Sequence, residues 1–158
     1  PNLPATDWEQ ALEIFAPLQA CEAWQIHRTA VQANPEDYSR AVRERLEWGG
    51  RISPSEHAQL VQRRLDWVAQ AVGRFDTAPL LVLPAVPLAQ LRQGADHTLQ
   101  RPRILRLTTP ASLGNWPVLT VPWPGVGDGE SGTGFQIMAA RGNEWALIAL
   151  AEKLAPHW

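Results

Sequence analysis

The sequence predicts an α/β fold, helices first, then three short buried strands and a final helix, forming one segment of a larger layered protein. Three observations carry that prediction. Apolar residues recur at three- and four-residue spacing through the first half of the chain. Three short apolar runs, at 79–84, 118–122 and 135–139, are set off by proline or glycine, the pattern of strands covered on both faces. Most of the 14 prolines and 11 glycines fall after Gly73 without forming a linker. Residues 1–158 therefore read as a single segment, mainly helical over 1–76 and built of strands, loops and a C-terminal helix over 77–158.

Asp7 can cap a helix over Trp8, Leu12, Ile14, Phe15 and Leu18, and Pro17 is expected to kink it or split it from a second helix carrying Cys21, Trp24, Ile26, His27 and Val31. Asn34-Pro35-Glu36-Asp37 places a proline and two acids in a first turn. A short helix through Tyr38, Val42 and Leu46 follows, with a Gly49-Gly50 stop. Ser53-Pro54-Ser55-Glu56 has the spacing of a capping box, in which the serine hydroxyl accepts from the third helical amide and the glutamate reaches back. Behind it, Leu60, Val61, Leu65, Val68, Ala69 and Val72 make one apolar stripe that faces a core. After Phe75 the period changes to strands at Pro79–Pro84, Val118–Pro122 and Phe135–Ala139, and Glu144–Leu154 closes the chain as a helix. The stretch from Pro124 to Gly132 is a turn-rich surface loop joining two strands, and its Asp128 and Glu130 read as solvated charges. Three strands of the buried type need neighbours at their edges and helices on their faces, more than this chain supplies. A start at Pro1 with no initiator methionine also fits a fragment.

A net charge of -2, with 13 arginines, one lysine and no basic cluster, leaves no electrostatic footprint for nucleic acid or an anionic bilayer. No apolar run approaches the roughly 18–20 residues needed to span a membrane. Cys21 alone forms no intramolecular disulfide and no cysteine zinc site, and it fits a reducing cytoplasm as a small buried hydrophobe. His27, His57, His97 and His157 lack ligand spacing, so neither a metal nor a cofactor is expected. The glycine-rich loop has no following Lys-Ser/Thr and leads into a strand, which removes the phosphate-cradle reading.

Five short motifs then occur in order between residues 36 and 155. They are Arg43-x-Arg45-Leu46-x-x-Gly49 with a helix opening at Ile52-Ser53, Phe75-Asp76 followed by Leu80-Leu81-Val82-Leu83-Pro84, Thr108-Thr109-Pro110 through Asn115-Trp116-Pro117, Val118–Pro122, and Gly134-Phe135-Gln136-Ile137. Taken together they resemble the C-terminal part of the amidase-signature family. The resemblance implies an α/β/α sandwich around a mixed sheet and hydrolysis of a carboxamide C–N bond by a Ser, cis-Ser, Lys triad. Those three residues belong to the family's N-terminal part, upstream of everything here. The sequence agrees: the only lysine is Lys153, on the last helix, and Ser39, Ser53, Ser55, Ser112 and Ser131 have no paired base. Three positions depart from the family pattern, and at the first of them Pro79 takes the place of a second acid before Leu80. Ser112 stands where asparagine is usual, and Asn115 replaces a glycine whose left-handed backbone it can still adopt. The stretch Arg103–Leu107 offers no acid, which argues against the glutamine-dependent tRNA amidotransferase branch.

The chain is thus expected to carry no catalytic residue of its own. It completes the sheet and substrate cleft of an N-terminal segment or chain bearing the serines and lysine, and that complete enzyme acts on a small amide. A homo-oligomer is also compatible with the sequence. Candidate substrate contacts are Trp116 and Trp123, beside the motif prolines at strand ends where α/β sheets bind ligands, and Arg45, which also reads as a structural helix partner. Trp48 and Trp67, on amphipathic helices, read as core. The other reading is a non-catalytic subunit that binds a protein through its open sheet edge.

Overall fold

The computed structural model describes residues 5–87, 93–94, 98–122 and 134–157. The first helix, α1, runs unbroken over Ala5–Ala33 with Pro17 inside it. The expected split does not occur. A proline in a helix interior removes one backbone donor and costs about 3 kcal/mol. Here the two sides of Pro17 are held by separate contacts: Trp8, Ala11, Ile14 and Leu18 lie in the main core, and Ala20 and Cys21 are buried beyond them. A 3₁₀ turn at Pro35–Asp37 and helix α2, Arg40–Gly50, come next. The proline-acid turn is therefore separate from α2, which starts behind Ser39.

Gly49 and Gly50 do more than stop that helix. A Cβ on Gly49 would overlap the Ala20 carbonyl, and one on Gly50 would meet the Trp24 ring, so the pair lets α2 lie directly on α1. Helix α3, Pro54–Val72, opens with the complete capping box at Ser53 and Glu56. Its core row differs from the expected stripe: Trp67 and Ala71 are buried and Leu60 and Val68 pack against them, while Val61, Leu65 and Val72 are exposed. Trp67 and Ala71 share their core with α1 residues and with Ala111 and Leu113. A one-turn helix, α4, Arg74–Thr77, places Phe75 in the same core.

The strands fall where periodicity puts them, at Leu80–Pro84 (β1), Val118–Pro122 (β2) and Gly134–Ala139 (β3). They form one antiparallel sheet in the order β1-β3-β2. Between β1 and β2 lies helix α5, Arg101–Gly114, with Pro102 in its first turn and Pro110 inside it. The last helix, α6, spans Glu144–Leu154, with Lys153 exposed in its final turn.

Side-chain alternation assigns the two faces of the sheet. Leu81, opposite Met138, joins the core built with α1, α3, α4 and α5. On the other face Val121, Ile137 and Ala139 pack with Leu147, Leu150 and Leu154 of α6. The layers are therefore helix, sheet, helix. The middle strand β3 is buried on both faces from Gln136 to Ala139, as expected, whereas β1 and β2 expose alternate residues, so those two runs are covered on one face only among the described residues. Among the described residues no helix is long and apolar enough to cross a membrane.

Candidate functional site

One end of the sheet gathers the last residues of β1 and β2 and the first of β3. Pro84 stands opposite Phe135, and Pro122 opposite Gly134. The Ala85 amide donates to the Gly134 carbonyl at 2.8 Å, extending the ladder one residue past β1. A Cβ on Gly134 would come within 2.8 Å of the Val121 oxygen, so glycine is what lets the strands close up here. Gln136, two residues into β3 and only 3% exposed, places its Nε2 3.1 Å from the Pro84 carbonyl and 3.0 Å from the Leu107 carbonyl of α5. Carbonyls only accept, so these two partners fix the amide's orientation. One side chain thereby clamps the end of β1, the start of β3 and the middle of α5 together. Nearby in sequence, the buried Thr109 hydroxyl has no hydrogen bond among the described residues.

The α5 C-terminus is locked just as closely. Asn115 is left-handed, at φ 53° and ψ 43°, as its place in the motif requires. Its amide donates to the Ser112 carbonyl and the Trp116 amide to the Ala111 carbonyl, which is the Schellman pattern. Arg64 of α3 adds an Nε donor 2.8 Å from the Leu113 carbonyl, a cation at the negative end of the helix dipole. Trp116 then folds back so that its ring fills the space a Gly114 Cβ would need.

That geometry settles what the candidate side chains touch. Trp116 is 6% exposed and packs on Trp67, with ring centroids 5.6 Å apart, and edge-on to Phe75 at 5.0 Å. It packs in the core beneath the motif. Arg45, on α2, donates through Nη2 to the Ala16 carbonyl at 3.1 Å and to Gln19 Oε1 at 2.9 Å, and it lies 5.6 Å over the ring of Trp48. Burial and, secondarily, the positive charge of Arg101 hold its pKa below the ordinary arginine value. These contacts tie α2 to α1, and Trp48 is a half-exposed platform rather than the core residue expected. The described contacts of Arg45 and Trp116 have no residue in common. Trp123 lies outside the described residues, as do Asp128, Glu130 and the rest of the 123–133 connection.

Open grooves flank the helical layer. One, of about 310 Å³, is lined by Pro17, Trp48, Ile52, Leu60 and Arg63. Another, of about 510 Å³, lies between α1 and the start of α5, with Leu12, Ala16, Pro102 and Arg106 in its wall. Neither is lined by Trp116 or Gln136. Among the described residues no three His, Cys, Asp or Glu side chains gather as metal ligands. The Ser53 hydroxyl, 2.7 Å from Glu56 Oε2 and 3.2 Å from Ser55 Oγ, is occupied as a helix cap. Sequence reasoning missed Gln136 as an organising residue. Its signal was a lone amide among apolar neighbours, at the strand position that alternation shares with Met138.

Taken as a whole, this is an α/β unit whose sheet lacks cover on alternate faces of its two edge strands, as expected of one portion of a larger layered fold. Solved structures show which fold. The chain is similar to a crystal structure of an amidase, at 27% identity and a TM-score of 0.81 over 93% of this chain and 35% of that one. It is also similar to the allophanate hydrolase of Kluyveromyces lactis (17% identity, TM-score 0.79, 94% of this chain and 24% of that one). A protein complex described as vestigial, and as revealing the origins of an s-triazine catabolic enzyme, matches 98% of this chain and 35% of that one at 22% identity and a TM-score of 0.76. The chain thus has the fold of part of an amidase-signature enzyme and spans about a third or less of the length of these structures. No family profile and no curated protein sequence matches it.

Proposed function

We propose that this chain is the C-terminal portion of an amidase-signature hydrolase that cleaves a carboxamide C–N bond. The carrying observation is the amidase likeness, which covers 93% of this chain yet only 35% of the other. On this reading the remaining part supplies the serine nucleophile, the bridging cis-serine and the lysine. The serine oxygen attacks the amide carbon while its proton passes through the bridging serine toward the lysine; that proton returns to the nitrogen as the C–N bond breaks and the amine leaves, and water then releases the acid and restores the serine. This chain contributes no reacting group. Its part is to complete the sheet and hold one wall of the cleft at the strand ends, where Gln136 fixes the exit of β1. Trp123, which follows Pro122 in sequence, and Arg45, through the α2 surface, remain proposed contributors to substrate binding. Trp116 acts from beneath, by setting the position of the motif turn. We place the enzyme in the cytoplasm, acting on a small amide.

Intact masses under denaturing conditions, set beside the native mass, test the reading. A native species carrying the additional two-thirds of an amidase, on this or a second polypeptide, with hydrolysis of simple amides lost when its lysine is replaced, is the expected result. A native species made only of 17.5 kDa chains would overturn it and favour the non-catalytic subunit.

A further inference from the structure

The groove of about 310 Å³ among the first three helices is walled by Pro17 of α1, Trp48 of α2, Ile52 of the following turn, and Glu56, Leu60 and Arg63 of α3. That volume lies at the small end of the range for small-molecule sites, about 300–1,000 Å³, with room for one ring and a short substituent. Trp48 gives it an aromatic surface that is fixed before anything binds. The ring is 36% exposed, and the Arg45 guanidinium lies 5.6 Å over it while bonded to the Ala16 carbonyl and Gln19 Oε1. Arg45 is not in the groove wall, so the cation that steadies the indole stands outside the space a ligand would fill. A ring already held in place loses little freedom when a ligand stacks on it. Pro17 adds apolar ring carbons to the same wall, at a position where α1 carries it against helical preference. Such breaks of a local rule concentrate at functional sites.

Arg63 supplies the polar end. Its Nη2 is 3.9 Å from Glu13 Oε2, too long for a hydrogen bond, and among the described residues its guanidinium makes none. The adjacent Arg64, by contrast, commits its Nε to the Leu113 carbonyl. The acids nearby are placed otherwise. Glu56 Oε2 accepts from the Ser53 amide at 2.8 Å and the Ser53 hydroxyl at 2.7 Å, which ties that charge to the positive end of α3. The Glu13 side chain is 71% exposed and stands in water. The sign of the ligand follows. A cation stacked on Trp48 would be repelled by Arg45 behind the ring and by Arg63 in the wall, whereas a carboxylate is attracted by both and matches the fork of N–H donors on Arg63.

We propose that this groove binds a small aromatic carboxylate, its ring against Trp48, Pro17 and Ile52 and its carboxylate on Arg63. The site is built from residues of this chain alone, and it does not require the amidase reading. Calorimetric titration of the native protein, in the assembly it forms, with benzoate, benzamide and benzylammonium tests it. Benzoate is expected to bind saturably with a Kd of about 1 mM, the strength open to so small a ligand, with benzamide weaker and benzylammonium not binding. Arg63→Gln replaces a half-exposed side chain and should weaken benzoate about tenfold, the loss of one charge-assisted hydrogen bond, while leaving benzamide unchanged. Trp48→Ala should weaken benzoate and benzamide alike. If that variant fails to fold, Arg63→Gln decides alone. Absence of saturable benzoate binding, equal affinity for the three probes, or a benzoate affinity unmoved by Arg63→Gln would overturn the site, and none of these results bears on amide hydrolysis.

Discussion

Gln136 is the residue on which this end of the sheet depends. Removing its amide leaves the Pro84 and Leu107 carbonyls without their side-chain donor at a partly buried site. Gln136→Leu is expected to lower stability by about 2 kcal/mol, read from urea unfolding, since each hydrogen bond lost is worth roughly 0.5–1.5 kcal/mol. In Gln136→Glu only the protonated acid can donate to a carbonyl, so the fold raises that carboxyl's pKa above its ordinary value of about 4.3. The folded state then holds a proton that the unfolded state has released. Stability of this variant is therefore greatest below that ordinary value and declines as pH rises through the raised one, a slope that unfolding midpoints across pH will show. Ser53 makes the opposite case. Hydrogen bonds from its backbone and side chain hold the Glu56 carboxyl below the ordinary value of 4.5. The contribution of this cap is complete above that value and is lost as pH falls through the lowered one, visible as a lower protection of the first α3 amides relative to their intrinsic exchange rate at each pH. Ser53→Ala keeps the backbone donor, the larger of the two causes, so it should weaken that pH dependence only in part while costing about 1 kcal/mol.

At the scale of elements, the α1–α2 contact is set by Gly49. Gly49→Ala is expected to separate the helices and cost about 3 kcal/mol in chemical denaturation, because a backbone carbonyl rather than a flexible side chain lies in the way. Elements with local signals were legible beforehand. The Ser53 box, the three strands and α6 each follow from spacing and flanking residues within a few positions. Two helices were hidden by proline. In α5, Pro102 sits where a missing amide costs nothing, Pro110 is buried late in the helix, and Thr108 and Thr109 weaken the helical pattern. For α1, continuity through Pro17 depends on neighbours supplied by α2, α3 and α5, which no local window contains. The candidate site was legible only in part for the same reason. Motif order located the strand ends and the Asn115 turn, but whether a tryptophan beside a proline lines a cleft or a core depends on Trp67 and Phe75, some 40–50 residues away in sequence.

The whole molecule joins two buried cores to edge strands covered on one face only among the described residues. Where the rest of an amidase fold completes the sheet, Val82→Glu should leave the chain's own stability within about 0.5 kcal/mol, as for most exposed substitutions, while sharply lowering the yield of the larger native assembly in analytical ultracentrifugation. The strand order has a consequence for synthesis. Among the described residues β1 pairs with β3 alone, so Leu80 waits for Ala139 rather than for a neighbouring hairpin partner. At ribosomal rates of 5–20 residues per second, the 55 residues from Pro84 to Ala139 take roughly 3–11 s to appear. Throughout that interval Leu80–Pro84 is a nascent apolar segment whose β3 edge is unsatisfied.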